Sequence, residues 1–487
     1  MLTAVSTRWR ALPEPWKVAA WAGAGGLGVG ASAHLLLVFP VNVLGLVAGF
    51  ACHFRALARS PTPRVGLRAG AVFGGTLAAS TLYWLTDVLQ VLTPGERIAG
   101  GAVVGGFLLL ISLPYALWGW AAGRLSRSAL SPWLPLLHAP GLVLTQALIH
   151  DAWLGFPWLH YGYWLALGPL GRWLGILGAQ GAGLLPLCVA AGLGGWGQTP
   201  RAAPMGGMAA VVLCLGLLLP ARWAAPTEPR PVTIATITLP LAETGDSVRD
   251  DLSLLSRYVA ATREARADWV VWPESVIRDG GMNLRALAEV LGPRGAPVFA
   301  GALLPAPAAG RYNALVELRG GQPVYYKQKL VPFSEYVPSQ PLRQLFAVLE
   351  LNTLKTNVSA WQSPQRAFAV GGVALRPLLC YEVAFTELVE PDERPQVLLN
   401  IGNEHWFRRR LLHRMTLAMG VARAREYGLP LVRAVTEGYS GSFEPDSSGW
   451  SGTTAETGSA TLHHARVTPQ PAATPYSRWR RLLTQRP

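Results

Sequence analysis

Charged residues are sparse between Val18 and Pro220, whereas the sequence from Arg222 onward has the charge density of an ordinary globular protein. Of the 487 residues, 51% are hydrophobic and only 14% are charged, against roughly 25% charged in an average soluble domain. This asymmetry predicts two units, one embedded in a membrane and one soluble. We expect a transmembrane bundle at residues 1–222, a linker at 223–230, a soluble domain at 231–470 and a basic tail at 471–487.

Seven apolar stretches in the N-terminal half are candidates for transmembrane helices. Most approach the roughly 20 residues that cross a hydrocarbon layer of about 30 Å, although the second is short. More spans follow the first one and no clear small-residue cleavage site ends it, so it does not resemble a cleaved signal peptide. The stretches lie near residues 18–39, 41–54, 69–93, 98–120, 128–149, 170–193 and 205–221.

Basic residues are distributed unevenly between the loops on the two sides of these spans. One side carries only Arg97 and Arg172, and the other carries ten: Arg8, Arg10, Lys17, Arg55, Arg59, Arg64, Arg68, Arg124, Arg127 and Arg201. By the positive-inside rule, the N-terminus is cytoplasmic and, after an odd number of spans, the soluble half lies outside. In a bacterium with two membranes, this predicts a multi-pass protein of the inner membrane with a periplasmic domain.

The net charge of +14 does not by itself indicate a nucleic-acid partner. Apart from short runs at 408–410 and 478–481, the basic residues are scattered, as expected for residues that face solvent or anionic headgroups. Three of the four cysteines lie in apolar segments, and no CxxC spacing or paired set suggests zinc or a disulfide framework. We therefore expect no nucleic acid, no metal and no cofactor.

The C-terminal half alternates between strand and helix patterns, which predicts an α/β domain and not a β-sandwich. Helices are expected at 247–264, 283–292 and 411–427. Strands are expected at 231–239, 268–272, 297–302, 312–318, 323–328, 373–380, 395–401 and 430–435.

Three chemically distinctive residues come at the ends of predicted strands: Glu274 in VVWPES, Lys327 in YYKQKLVPFSE and Cys380 in PLLCYEVAF. Each one alone has an ordinary explanation, as a turn carboxylate, a solvated amine or an inert buried thiol. Together they supply an acyl-transfer site: a thiolate that attacks a carbonyl, a carboxylate that moves the proton, and a cation that stabilises the oxyanion. His405 and His413 remain alternative bases, which keeps a Cys–His arrangement open.

An aromatic loop, WLGFPWLHYGYW at 153–164, interrupts the apolar half. Its composition favours an aromatic belt at the membrane interface. The alternative is a lipid-facing rim beside the site of chemistry.

The motifs WPES, YYKQKLVPFSEYVP and LCYE resemble the nitrilase (carbon–nitrogen hydrolase) superfamily and its Glu-Lys-Cys triad. With the multi-span N-terminus and the GFPWLxxGY loop, the chain is similar to the apolipoprotein N-acyltransferases in particular. The resemblance implies a multi-span helical membrane bundle joined to an α/β nitrilase-like αββα sandwich. It also makes the lipid-rim interpretation of the loop the stronger one.

The resemblance further implies a ping-pong acyltransferase that completes lipoprotein maturation. Cys380 would take an acyl group from a phospholipid, phosphatidylethanolamine, and pass it from a thioester to the α-amino group of a diacylglyceryl-cysteine lipoprotein. Glu274 would be the general base and Lys327 the oxyanion stabiliser. Residues 336–362 and the stretch after Trp406 are candidate lids. Other residues implied to bind substrate or support the site are Glu335, Tyr381, Glu382, Asn313, Trp223, Trp158, His405 and Trp406.

The chain also departs from the family pattern. It ends after TPYSRWRRLLTQRP, where the family usually adds a final span, and NEHWFRRR, TEGYSG and ITLPLAETGD differ from the usual loops. These changes leave three alternatives open: a membrane-tethered amidase, a diverged paralogue with another amine acceptor, and a non-catalytic lipoprotein-binding homologue.

Overall fold

The computed structural model describes residues 12–87, 97–223, 230–239, 248–278, 280–307, 310–332, 335–336, 344, 358–389, 395–405, 409–446, 449–455 and 461–484. The chain forms two compact units, residues 1–86 with 101–219 and residues 87–100 with 220–487. The domain limits inferred from the sequence stay predictions, and residues 224–229 of the expected linker lie outside the described residues.

The first unit is helical, and a helix overlaps each of the seven predicted apolar stretches. The fifth helix continues as a π-helical segment, Ala147–Trp153. The helices are α1 Glu14–His34, α2 Val41–Ala58, α3 Pro63–Thr81, α4 Arg97–Leu125, α5 Leu134–Gln146, α6 Leu174–Gly195 and α7 Ala202–Leu215.

Four helical segments among the described residues are long and apolar enough to cross a membrane: Val41–Ala58, Gly101–Leu125, Ser131–Trp153 and Pro169–Gly195. Ala202–Leu218 is apolar but shorter. The protein is therefore a membrane protein. The count of seven spans stays a prediction.

The third helix differs most from its predicted bounds, 69–93. It begins at Pro63, with the Thr62 side chain accepting a hydrogen bond from the Val65 amide (3.1 Å), and it ends at Thr81. A threonine cap followed by proline is an ordinary start signal for a helix. The predicted start of the helix is too late because Arg64 and Arg68, which lie in its first two turns, have the charge typical of a loop.

Among the described residues, the second unit contains twelve strands in two six-stranded sheets. The first sheet has the order β12-β1-β2-β3-β4-β5 and the second β11-β10-β9-β8-β7-β6. The strands are β1 Val232–Thr238, β2 Trp269–Val271, β3 Val298–Pro305, β4 Arg311–Glu317, β5 Gln322–Tyr326, β6 Phe368–Val370, β7 Val373–Leu379, β8 Val397–Gly402, β9 Leu431–Val435, β10 Gly438–Phe443, β11 Ser451–Ala455 and β12 Thr461–Val467.

Helices cover the outer faces of both sheets. The first sheet is covered by α8 (Val248–Glu264) and α9 (Gly280–Leu291), and the second by α10 (Arg410–Tyr427); α11 (Pro475–Thr484) packs against α10. The inner faces bury a shared apolar core that includes Ile234, Val271, Phe299, Leu315, Leu375, Leu399, Ile401 and Val432. The layer order is αββα, which confirms the predicted fold class.

Four strands were not predicted: β6, β10, β11 and β12. β10 reads GYSGSF and β12 reads TLHHARV, so neither has the β-branched, apolar run that identified the central strands. β12 pairs with β1 at the edge of its sheet, where one face stays exposed. The tertiary pairing, and not the local sequence, makes these segments strands.

Gly70 lets α3 approach the backbone of α4, since a Cβ there would collide with the Tyr115 carbonyl group. Close approach through small residues is a common packing mode of membrane helices. We expect Gly70→Ala to destabilise the helical unit by about 1–3 kcal/mol, because the helices must separate. Thermal unfolding of the purified protein in detergent measures this.

Gly75 is the matched control on the same helix. A Cβ at Gly75 meets nothing within 4 Å, so Gly75→Ala is expected to be neutral or to stabilise by up to about 1 kcal/mol through helix propensity. Equal melting temperatures for the two variants would contradict the close packing of α3 on α4.

Candidate active site

The structure brings together side chains that follow three different strands. Glu274 follows β2, Lys327 follows β5 and Cys380 follows β7. Lys327 Nζ donates to Glu274 Oε1 (2.9 Å), and the charges of both residues act on the Cys380 thiol. Glu274 and Lys327 are only 3% and 2% exposed, and Cys380 is half-buried. The carboxylate and the ammonium group are therefore enclosed, and the half-buried thiol lies within reach of their charges.

Glu274 is fixed by donors from both sheets. Its Oε1 accepts from Asn313 Nδ2 on β4 (2.7 Å), and its Oε2 accepts from the Asn403 amide after β8 (2.8 Å). Gly301 on β3 makes room for it, because a Cβ there would collide with the Glu274 backbone. The carboxylate thus has a defined orientation and keeps acceptor capacity for a proton.

Lys327 is clamped between two carboxylates. Its Nζ also donates to Glu335 Oε1 (2.9 Å), while Glu335 Oε2 accepts from the Val331 amide (2.8 Å). Burial alone would lower the pKa of Lys327, but Coulomb attraction from Glu274 and Glu335 raises it well above its ordinary value. The ammonium group therefore stays charged, as an oxyanion stabiliser requires.

Cys380 occupies a strained turn directly after β7. Its φ of 50° lies in the left-handed region, which costs a residue with a side chain about 1–3 kcal/mol. Such strain is stored at functional sites, where it directs a side chain out of the strand. Burial raises the pKa of the Cys380 thiol well above its ordinary value, with Glu274, Glu335 and Glu404 adding to the shift and Lys327 opposing it. The Cys380 thiol therefore favours its protonated form.

Glu382 ties the turn of the nucleophile to the loop after Lys327. It is fully buried, and it accepts from the amides of Leu379 (2.9 Å), Gln328 (2.7 Å) and Lys329 (3.1 Å) and from the Tyr325 hydroxyl (3.1 Å). Burial raises the pKa of Glu382, against the three backbone donors. Its neighbour Tyr381 packs edge-on against Phe385. Tyr381 and Glu382 thus lie in the turn that contains Cys380, directly after β7.

A second buried ionic cluster lies at the same edge, and sequence reasoning did not identify it. Glu404, which follows β8, pairs with Arg433 on β9 and accepts from Thr416 Oγ1 (2.7 Å). Arg433 also donates to Asn400 Oδ1. A carboxylate just beyond a buried parallel strand was the available signal, since such strand ends line the site of an α/β fold.

The two candidate histidines have carboxylate partners of their own. His405 Nδ1 lies 2.8 Å from Glu437 Oε1, and His413 Nε2 lies 4.0 Å from Glu404 Oε2. The His405–Glu437 contact joins two of the segments in which the chain departs from the family it resembles, NEHWFRRR and TEGYSG. Glu274 contacts the lysine whose charge acts on the thiol, and the Cys–His arrangement stays an alternative prediction.

Other predicted site residues lie elsewhere or outside the described chain. Trp223 lies near Gly428, just before β9, which is the opposite strand end from Cys380. Trp158 belongs to the helical unit, where it packs against Trp84 and Phe156. Trp406, with the stretch that follows it to 408 and most of 336–362, lies outside the described residues. The roles of these residues stay predictions.

The raised pKa of the Cys380 thiol has a measurable consequence. Its alkylation rate is expected to be low at pH 7 and to rise only at alkaline pH, since the thiolate is the reactive form. Glu404→Gln is expected to move the midpoint to lower pH because it removes a negative charge, and Lys327→Met to move it to higher pH because it removes the opposing cation. Mass spectrometry of the iodoacetamide-labelled Cys380 peptide measures both shifts.

Glu387→Gln is the control, because that exposed carboxylate pairs with Lys329 on the surface. Its midpoint is expected to match the unmodified protein. A shift to higher pH for Glu404→Gln, or to lower pH for Lys327→Met, would contradict the electrostatic description of the thiol.

Known proteins resemble both units of the chain. Residues 25–192 match the model of the apolipoprotein N-acyltransferase N-terminal domain. The apolipoprotein N-acyltransferase of Azotobacter vinelandii is 29% identical over 87% of this chain and 84% of its own length. That of Pseudomonas putida is 26% identical over 93% of this chain and 92% of its own.

Solved structures that resemble the chain include an amidase from Nesterenkonia sp., which is 18% identical, covers 54% of this chain and 97% of its own, and has a TM-score of 0.35. A carbon–nitrogen hydrolase from Helicobacter pylori is 11% identical, covers 53% and 96%, and has a TM-score of 0.31. By its matched N-terminal domain and by similarity through most of its length, the chain resembles the apolipoprotein N-acyltransferases.

Proposed function

We propose that this protein transfers a fatty acyl group from a phospholipid to the N-terminal α-amino group of a diacylglyceryl-cysteine lipoprotein. The observation that carries the proposal is the cluster of Cys380, Lys327 and Glu274 in a chain whose relatives are named apolipoprotein N-acyltransferases. The donor is phosphatidylethanolamine, and the reaction takes place on the periplasmic side of the bacterial inner membrane. A thioester on Cys380 carries the acyl group between the two substrates.

The first half-reaction forms the thioester. Cys380 Sγ attacks the ester carbonyl carbon of the phospholipid while Glu274 takes the thiol proton. The carbonyl oxygen becomes an oxyanion, and the Lys327 ammonium stabilises it. When the C–O bond breaks, Glu274 returns the proton to the departing lysophospholipid oxygen. Because the thiol pKa is raised, attack requires this proton transfer to Glu274.

The second half-reaction consumes the thioester. The neutral α-amine of the acceptor attacks the same carbonyl carbon, and its surplus proton passes to Glu274. Collapse of the intermediate breaks the C–S bond, and Glu274 returns the proton to the cysteine sulfur. The products are an amide and the original thiol, so the cycle needs no oxidant, reductant or cofactor. Long acyl chains favour a site attached to a membrane unit, since their transfer into water is costly.

Trapping the acyl-enzyme tests this proposal. Membranes that contain the protein, supplied with a phosphatidylethanolamine labelled in its acyl chain, are expected to give a hydroxylamine-sensitive adduct on Cys380. Cys380→Ala is expected to abolish the adduct, and Glu274→Gln to slow its formation by about 10²–10⁴-fold, the usual contribution of a general base.

Cys214→Ala is the matched control, since it removes an exposed cysteine of the helical unit and is expected to leave the adduct unchanged. An adduct that persists in Cys380→Ala would refute the proposal. Release of free fatty acid in place of an N-acylated lipoprotein would identify the amidase alternative, with water as the acceptor. Complete absence of the adduct from the unmodified protein would favour the non-catalytic alternative.

A further inference from the structure

The helical unit contains a polar cluster that the proposed chemistry does not use. His160 Nε2 lies 3.0 Å from both carboxylate oxygens of Asp151, and Gln180 Nε2 donates to Asp151 Oδ2. On the other side of the imidazole, His160 Nδ1 lies 3.4 Å from the Tyr163 hydroxyl. Asp151 comes from the π-helical segment, His160 from the aromatic loop and Gln180 from α6.

Irregular backbone places these three residues beside each other. Asp151 lies in the π-helical segment Ala147–Trp153, and π-helical turns occur mostly at functional sites. Gly178, with φ of 68°, breaks the regular course of α6 two residues before Gln180. Two departures from ideal helix therefore converge on one carboxylate.

The surface around the cluster is apolar. Leu144, Leu148 and Trp153 are 60%, 59% and 64% exposed on the same segment as Asp151. The carboxylate lies two residues before the end of the candidate span Ser131–Trp153, beside an exposed tryptophan, which is the usual residue of the headgroup region. A carboxylate at such a position is costly and marks a functional site by default.

Asp151 lacks a permanent cation in the described part of the chain, where no lysine or arginine forms an ion pair with it. A cavity of about 10 Å³ opens beside it, lined also by Val143, Gln146 and Tyr161. That volume holds one water-sized group, which is also the size of a primary ammonium.

We propose that Asp151, His160 and Gln180 form a binding site for a primary ammonium group carried by a lipid. Two sources at this membrane surface fit that chemistry: the headgroup of the acyl donor and the α-ammonium of the lipoprotein acceptor. The assignment to these substrates rests on the proposed function, whereas the ammonium site itself does not. A quaternary ammonium is too large for the cavity, and an anionic headgroup is repelled by the carboxylate.

Lipid binding to the full-length Cys380→Ala variant tests the site without turnover. Native mass spectrometry in detergent compares bound phosphatidylethanolamine with phosphatidylglycerol and phosphatidylcholine at equal concentrations. We expect phosphatidylethanolamine to be preferred by about fivefold, the scale of a partly exposed ion pair, and the preference to vanish when Asp151→Asn is added. Asparagine keeps the shape and the acceptor oxygen, so melting temperature is expected to change little.

Glu14→Gln is the control, because it removes an exposed carboxylate at the start of α1 and is expected to keep the preference. Equal binding of the three lipids by the parent variant, or a preference that survives Asp151→Asn, would overturn the proposal. The lipid preference is measured without acyl transfer. A failure of the ammonium site can therefore be told apart from a failure of the proposed function.

Two kinetic experiments then show whether the ammonium group comes from the acyl donor or from the lipoprotein acceptor. If the donor headgroup binds here, Asp151→Asn slows thioester formation from phosphatidylethanolamine, through a higher KM, and leaves phosphatidylglycerol unaffected. If the acceptor binds here, the isolated acyl-enzyme transfers its acyl group more slowly to the lipoprotein. Unchanged rates in both experiments would overturn the assignment to a substrate.

Discussion

The site depends on a buried ion-pair cluster, in which the Lys327 ammonium group contacts both Glu274 and Glu335 (2.9 Å each). A buried ammonium group with one carboxylate would be neutral, but two carboxylates leave the cluster with a net negative charge. Burial raises the Cys380 pKa most, and the carboxylates raise it further because ionising the thiol would add another negative charge. Removing one partner of such a pair typically costs about 3–5 kcal/mol, because a buried charge is left uncompensated. These ionic contacts therefore stabilise the domain, and in the proposed reaction they also affect the activation of the Cys380 thiol.

Backbone amides hold the carboxylates in place. Asn403 donates to Glu274, Val331 donates to Glu335, and the amides around Lys327 and Cys380 donate to Glu382. Each amide lies at a strand end of the αββα sandwich or in a loop close to one. The charged groups thus need little reorganisation when charge develops on a bound carbonyl oxygen, which is the main source of electrostatic catalysis.

The sequence predicted the parts of the molecule in which local pattern and fold agree. The apolar runs of β1, β7 and β8 and the strand–helix alternation were enough to predict the α/β domain, and motif order was enough to select Glu274, Lys327 and Cys380. Local pattern could not predict β10 or β12, whose polar sequences become strands only through pairing. It also could not pair Glu404 with Arg433, since that contact depends on the register of β8 against β9.

In the proposed reaction, Cys380 carries an acyl group to a lipoprotein amine. Mass spectrometry of lipoprotein N-termini tests it most directly, in cells that depend on this protein alone for N-acylation. With the unmodified protein, the N-terminal cysteine is expected to carry three acyl chains, and with Cys380→Ala only two. Two chains in both strains, or three chains in both, would contradict the account.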